Sequence, residues 1–244
     1  KKEMRDIPQH LIDVVHPTNN FSVVEYQKLA ISAMADIFKR NKIPIICGGT
    51  GFYIGAITKG NVFPTVPPNL KLRKNLESKS SDILLKILTK LDETRAKDIL
   101  NKNEQNNKVR LIRAIEIAKA LGKVPKNTEI KPMYKFVKIG LYLPTQELKK
   151  KINTRLEKRL KMGMINEIKK LHKKGLSWKK MYELGLEYRY ISMYLQNQIT
   201  KEEMILKLQS EIYHYAKRQM TWFKRDPQIN WFDASKKIPL TKIV

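Results

Sequence analysis

Apolar residues recur at helical spacing along most of this chain, and only a few short stretches break that rhythm into strand-like runs. From Val23 to Arg40, Val24, Leu29, Ile31, Met34, Ile37 and Phe38 form a broad stripe, and Ser22 is placed to cap the helix. Asn41-Lys42 then turns into Ile43-Pro44-Ile45-Ile46-Cys47, a short continuous apolar run of the kind a buried parallel strand carries. Gly48-Gly49-Thr50-Gly51 follows, and Phe52 to Ile57 is again helical in pattern. The order helix, strand, glycine turn, helix predicts an α/β unit with a ligand-type loop at the strand's carboxyl end.

Pro64, Pro67 and Pro68 mark a linker. A stretch rich in Leu, Lys and Glu runs from Leu70 to Leu121 and predicts several helices, two of them separated by the Asn-rich run Asn101 to Asn107, the last ended by Gly122 and Pro125. Residues 136–143 read as a strand that Pro144-Thr145 stops. Beyond Glu147 the pattern is helical, over about 147–161, 164–174, 187–197 and 201–224.

Composition narrows the function. The 244 residues hold 49 Lys and Arg against 23 Asp and Glu, a net charge of +26. Such an excess suits a polyanion, nucleic acid above all, although a lysine- and asparagine-rich composition of the kind AT-rich coding produces accounts for part of it. One cysteine, Cys47, excludes a disulfide framework and a cysteine-rich zinc site, and sets a reducing, cytoplasmic compartment as the expectation. Cys47 has no marked base partner and reads as a core thiol. No apolar run approaches a membrane span. The first residue is Lys1, which suggests that the sequence starts inside a longer protein.

Four features carry candidate chemistry. The glycines of Gly48–Gly51 let backbone N–H groups approach an anion or a base, with the Thr50 hydroxyl beside them, or form a plain tight turn. Neither nucleotide fingerprint is met: Ile54 stands where the third dinucleotide glycine belongs, and Asn61 where a P-loop lysine belongs. Arg110 and Arg113 share a helix face and can fork onto phosphate oxygens, while Glu116 follows Arg113 at ion-pair spacing. Residues 149–161 form a basic helix over a stripe of Leu148, Ile152, Leu156 and Leu160. Tyr215 to Pro227 interleaves basic and aromatic residues, a mixture that grips phosphates and stacks on bases, or else packs Tyr215, Met220 and Phe223 inward.

Five blocks in this order resemble the tRNA dimethylallyltransferase (tRNA isopentenyltransferase) family. They are Ile7 to Asp13 with Pro17; Ile43-Pro44 through Gly48-Gly49-Thr50-Gly51 to Ile54; Arg110 to Glu116 with Gly122-Lys123; Ile152 with Arg155 and Gly163; and Tyr215 to Phe223. Gly185 to Arg189 is similar to the family's tRNA-contacting Gly-Tyr block, with a small insertion.

The resemblance implies a P-loop-NTPase-like α/β core with a parallel sheet over 1–60 and 126–244, and a helical insertion domain over 61–125. It also implies transfer of a dimethylallyl group from dimethylallyl diphosphate to N6 of adenosine 37 in tRNAs reading UNN codons, with Mg²⁺ as cofactor. By the same resemblance Arg155 steadies the diphosphate, and Thr50 lines the reaction channel near the target nucleotide. Arg73, Arg110, Arg113 and Arg189 hold the tRNA anticodon stem-loop. A monomer is expected. The family's P-loop and catalytic aspartate precede the Ile7–Asp13 block, so these 244 residues alone are expected to be inactive. The alternatives are a non-catalytic tRNA-binding fragment and an adenylate isopentenyltransferase, the latter disfavoured by the helical insertion and the basic surface.

Overall fold

The computed structural model describes residues 7–125 and 131–238. It is mostly helical, with one two-stranded parallel sheet among the described residues. The chain forms two compact units, Lys59–Met133 and the remainder on either side of it. The expected return to the core at residue 126 lies outside the described residues.

The larger unit begins with α1 (Val23–Lys39). Ser22 and Glu25 cap it reciprocally: Glu25 N–H donates to Ser22 Oγ at 3.2 Å, and Ser22 N–H to Glu25 Oε2 at 2.7 Å. Such a box satisfies two of the N–H groups that a helix start leaves orphaned. Ala30 and Met34 are buried with Ile57 of α2 (Gly51–Thr58), and Leu11, Tyr26, Ile46, Tyr134 and Phe136 pack around them. Leu29, Ile31 and Phe38 of the predicted stripe are about 40% exposed, so the buried face of α1 is narrower than its apolar pattern.

β1 (Lys138–Tyr142) pairs in parallel with β2 (Ile229–Asp233), Gly140 opposite Trp231. The Trp231 ring and Ile229 cover the side of Gly140 where a Cβ would stand. Parallel strands need a long crossover. Here it consists of five helices, hα7 (Thr145–Lys161), hα8 (Met164–Lys173), hα9 (Trp178–Leu184), hα10 (Leu186–Leu195) and hα11 (Lys201–Phe223), numbered by their place in the whole chain. Gly163, at φ 94°, turns the chain between hα7 and hα8 in a left-handed conformation that suits glycine. Leu156, Met164, Ile168, Leu176, Met181, Ile191, Met204 and Leu208 form the buried core of these helices.

The smaller unit holds α3 (Leu70–Glu77), α4 (Ser81–Leu91), α5 (Glu93–Asn101) and α6 (Lys108–Leu121). Asn69, Ser80, Asp92 and Asn107 cap their starts through side-chain oxygens. Its core is Leu76, Leu84, Leu88, Ala96, Ile99, Leu111, Ile112, Ala114 and Ile115.

Two expectations about Ile43 to Cys47 are corrected. Ile43 to Cys47 is not a strand, and Ile43 and Ile45 are 85% and 88% exposed. A strand exists only with a hydrogen-bonding neighbour, and among the described residues none pairs with this run. Cys47 is consequently an exposed thiol rather than a core one. The expected P-loop-like parallel-sheet core is represented among the described residues by the β1–β2 pair alone.

Candidate functional site

The Gly48–Gly51 loop and the start of α2 line a cleft of about 270 Å³, together with Tyr26, Ile46, Cys47, Tyr53 and Ile54. Thr50 is the residue ahead of α2, and its carbonyl accepts the Tyr53 and Ile54 N–H groups at 3.0 and 3.1 Å. Its side chain is exposed at the cleft. One wall is aromatic: the Tyr26 and Tyr53 rings meet edge to face at 4.8 Å, and burial with the neighbouring Tyr53 pushes the Tyr26 phenol above its ordinary range. The cleft is therefore apolar on one side, with glycine backbone and a hydroxyl on the other. A planar apolar group can rest there while the loop meets its polar edge.

hα11 supports this loop from below. Gln219 Nε2 donates to the Gly49 carbonyl at 2.9 Å. hα11 also packs on hα7, the helix of Arg155. Arg155 is exposed and lines a small cavity with Ile152, Leu156, Arg159, Glu187 and Ile212. Arg159 is paired with Glu187 at 2.8 Å, whereas among the described residues no carboxylate pairs with Arg155. Thr50 and Arg155 thus belong to one unit and stand on elements that share hα11.

The basic and aromatic residues of hα11 partner one another, with Lys149 of hα7 joining them. Lys149 and Lys217 lie over the Tyr213 ring at 4.9 and 5.8 Å, and Arg218 over Tyr215 at 5.9 Å. Tyr215 and Trp222 remain 41% and 48% exposed, while Met220 and Phe223 are half-buried. Arg189, on hα10, is exposed and donates through Nε and Nη2 to the Tyr182 carbonyl at 3.2 and 3.1 Å.

The remaining predicted arginines lie in the smaller unit and converge on carboxylates. Glu116 is 2% exposed on the buried face of α6. Arg73 reaches it through Nε at 2.9 Å and Nη2 at 2.8 Å, Arg113 through Nη1 at 2.5 Å, and the Asn69 N–H at 2.6 Å. Arg113 Nη2 also donates to the Val66 carbonyl at 2.8 Å. Burial by itself pushes the Glu116 carboxyl up, but the hydrogen bonds from Arg73, Arg113 and Asn69 outweigh it and bring the group down to about 2. Arg110 pairs with Glu104 instead. The Arg113–Glu116 ion pair was legible from the spacing of the two residues, but the part of Arg73 was not. Its only signal was a carboxylate inside the apolar run Leu111 to Ala118.

Among the described residues no three His, Cys, Asp or Glu side chains converge to hold a metal ion. Among the described residues, the donors around Thr50 and Arg155 form no carboxylate site for Mg²⁺. No described helix is long and apolar enough to cross a membrane.

The IPP transferase family matches residues 1–226, and the chain belongs to that family. It is 37% identical over 233 residues to tRNA dimethylallyltransferase 2 of Trichlorobacter lovleyi, covering 94% of this chain and 75% of that protein. It is 38% identical over 244 residues to the tRNA dimethylallyltransferase of Halothermothrix orenii, covering 96% and 73%. Among solved structures, the full-length tRNA isopentenylpyrophosphate transferase of Bacillus halodurans superposes with a TM-score of 0.67 at 32% identity, over 99% of this chain and 76% of that one. A eukaryotic dimethylallyltransferase acting on tRNA has the same fold, with a TM-score of 0.70 at 23% identity over 96% and 61%.

Proposed function

We propose that the protein is a tRNA dimethylallyltransferase that moves a dimethylallyl group from its diphosphate to N6 of adenosine 37 in tRNAs reading UNN codons. The observation that carries this reading is the family match over residues 1–226. In the reaction the adenine N6 attacks the allylic carbon, the bond from that carbon to the diphosphate oxygen breaks, and the amine loses a proton to a carboxylate base.

Thr50 is assigned to the target nucleotide because it faces a cleft with an aromatic wall suited to an adenine ring that has left the loop stack. Arg155 is assigned to the departing diphosphate. Its guanidinium is unpaired by carboxylate among the described residues, and a fork of charge-assisted hydrogen bonds strengthens as the leaving group gains charge. Arg73, Arg110, Arg113 and Arg189 are assigned to the anticodon stem-loop, the first three from partly exposed side chains whose charge is shared with Glu116 or Glu104. The fold core is P-loop-like, Mg²⁺ arrives with the diphosphate rather than being held by a cluster of the described residues, and the protein acts as a monomer in the cytoplasm.

The test, made on the full-length protein, is transfer of radiolabel from dimethylallyl diphosphate to an anticodon stem-loop carrying adenosine at position 37, with AMP as competitor. Labelling of the stem-loop that excess AMP does not suppress is expected. Preferential labelling of AMP would transfer the protein to the nucleotide-modifying class, and binding without labelling would make it a tRNA-binding protein.

A further inference from the structure

The reaction as proposed leaves one contact unused, the one between hα11 and the glycine loop. A Cβ added at Gly49 would stand 2.1 Å from Gln219 Nε2 and 2.9 Å from its carboxamide carbon. At Gly51 it would stand 2.0 and 2.1 Å from Cδ1 and Nε1 of Trp222. At Gly48 it would meet only Ile54, at 3.9 Å. The two glycines that flank Thr50 are thus the two whose backbone lies against hα11. Gln219 and Trp222 are three residues apart and share a face of that helix. One holds the Gly49 carbonyl by a hydrogen bond, and the other closes its ring over Gly51.

A loop of three glycines among four residues has unusual backbone freedom, and a hydroxyl carried on it has no fixed place unless something pins its neighbours. We infer that Gln219 and Trp222 are positioning residues: acting from hα11, they immobilise Gly49 and Gly51 and so fix the Thr50 hydroxyl at the cleft. The inference rests on the reading that Thr50 faces the target nucleotide. Both positioning residues act through Thr50 and neither is assigned a contact with substrate.

The experiment compares the native protein with Gln219→Leu, which keeps the bulk of the side chain and removes the donor, and with Gly49→Ala, which attacks the same contact from the loop. Two readouts are needed. The first is hydrogen exchange of the Gly49 to Gly51 amides, expected to quicken by roughly the two- to tenfold that loss of one hydrogen bond allows, with the melting temperature little changed. The second is transfer to the stem-loop, where kcat should fall by about ten- to a hundredfold, as misplacement of a reacting group does, with KM for tRNA unchanged. Adding Gln219→Leu to Thr50→Ala should cause no further loss. Unchanged exchange in both variants would overturn the inference, as would losses from Gln219→Leu and Thr50→Ala that multiply. If the native protein transfers nothing to tRNA, the functional reading fails, and the exchange arm still decides whether hα11 immobilises the loop.

Discussion

Arg155 and Arg159 stand four residues apart on hα7 and line the same cavity of about 40 Å³, yet their surroundings separate their roles. Arg159 is neutralised by Glu187, so its removal strands a carboxylate and should lower stability by at most about 1 kcal/mol, the usual range for a partly exposed pair. Among the described residues Arg155 has no such partner, and its removal should leave the melting temperature unchanged. If it holds the leaving diphosphate, Arg155→Ala should lower the transfer rate on the order of a hundredfold, as removal of one charge-stabilising donor does, with tRNA affinity preserved. Lys158→Ala, on the exposed face of the same helix, should be near neutral. Rates measured side by side decide the assignment: equal losses at Arg155 and Lys158 would reduce the helix to a general basic surface.

Glu116 supplies a second prediction at this scale. Its carboxyl lies below the ordinary 4.5, at about 2, in the folded protein. A group depressed on folding stabilises the protein above its unfolded value, and that contribution is lost as pH falls. The window here runs from about 4.5 down to about 2. At roughly 1.4 kcal/mol per unit, the contribution is on the order of 3 kcal/mol. Glu116→Gln should therefore flatten the acid limb of a stability–pH profile across that window. An acid limb identical to that of the native protein would mean that Arg73 and Arg113 stabilise no more than two solvated arginines.

Among the elements, α2 offers the sharpest contrast, because one substitution has opposite signs at two of its positions. Gly55 has no heavy atom within 4 Å of where a Cβ would stand, so Gly55→Ala should stabilise the helix by about 0.5–1 kcal/mol through backbone propensity. Gly51→Ala drives a methyl into the Trp222 ring and should destabilise. Thermal melting of the two variants checks the signs. This contrast also shows what could be read from sequence. The amphipathic helices, their caps at Ser22 and Gly122, the α2 pattern after the glycines and the strand at 138–142 rest on local spacing, and local spacing is visible in one chain. hα9 was missed because seven residues hold too few turns to show a period, and β2 because Ile229–Asp233 becomes a strand only by pairing with β1 far back in the chain. Ile43 to Cys47 was misread for the converse reason: apolar content alone does not supply a strand with a neighbour. The turn ahead of α2 was legible from its glycines. The grip of Gln219 on Gly49 and of Arg73 on Glu116 are tertiary contacts with no spacing to announce them.

For the whole molecule, the charge of +26 is the property that most directly meets a polyanion, but the structure shows that the cations are not equally available for one. Arg73 and Arg113 share a buried carboxylate, Arg110 and Arg159 have their own, and Arg189 is bound to a carbonyl. The unpaired charge is mostly lysine, including the exposed Lys149 to Lys151 and Lys158 of hα7. Lysine ammonium groups bind phosphate as mobile point charges, and each one that displaces a counterion adds to the salt dependence of binding. If about six phosphates are neutralised, affinity for the anticodon stem-loop should fall roughly a thousandfold between 50 and 200 mM salt. Because Glu116 already neutralises part of their charge, Arg73→Ala and Arg113→Ala should change that slope less than removal of two of the hα7 lysines. Their effect on affinity should be the same at every salt concentration. Filter binding over a salt series measures both quantities. A flat salt response would dismiss the basic surface as the RNA-binding element, and a slope set by Arg73 and Arg113 rather than by lysine would mean that RNA binding breaks the Glu116 ion pairs.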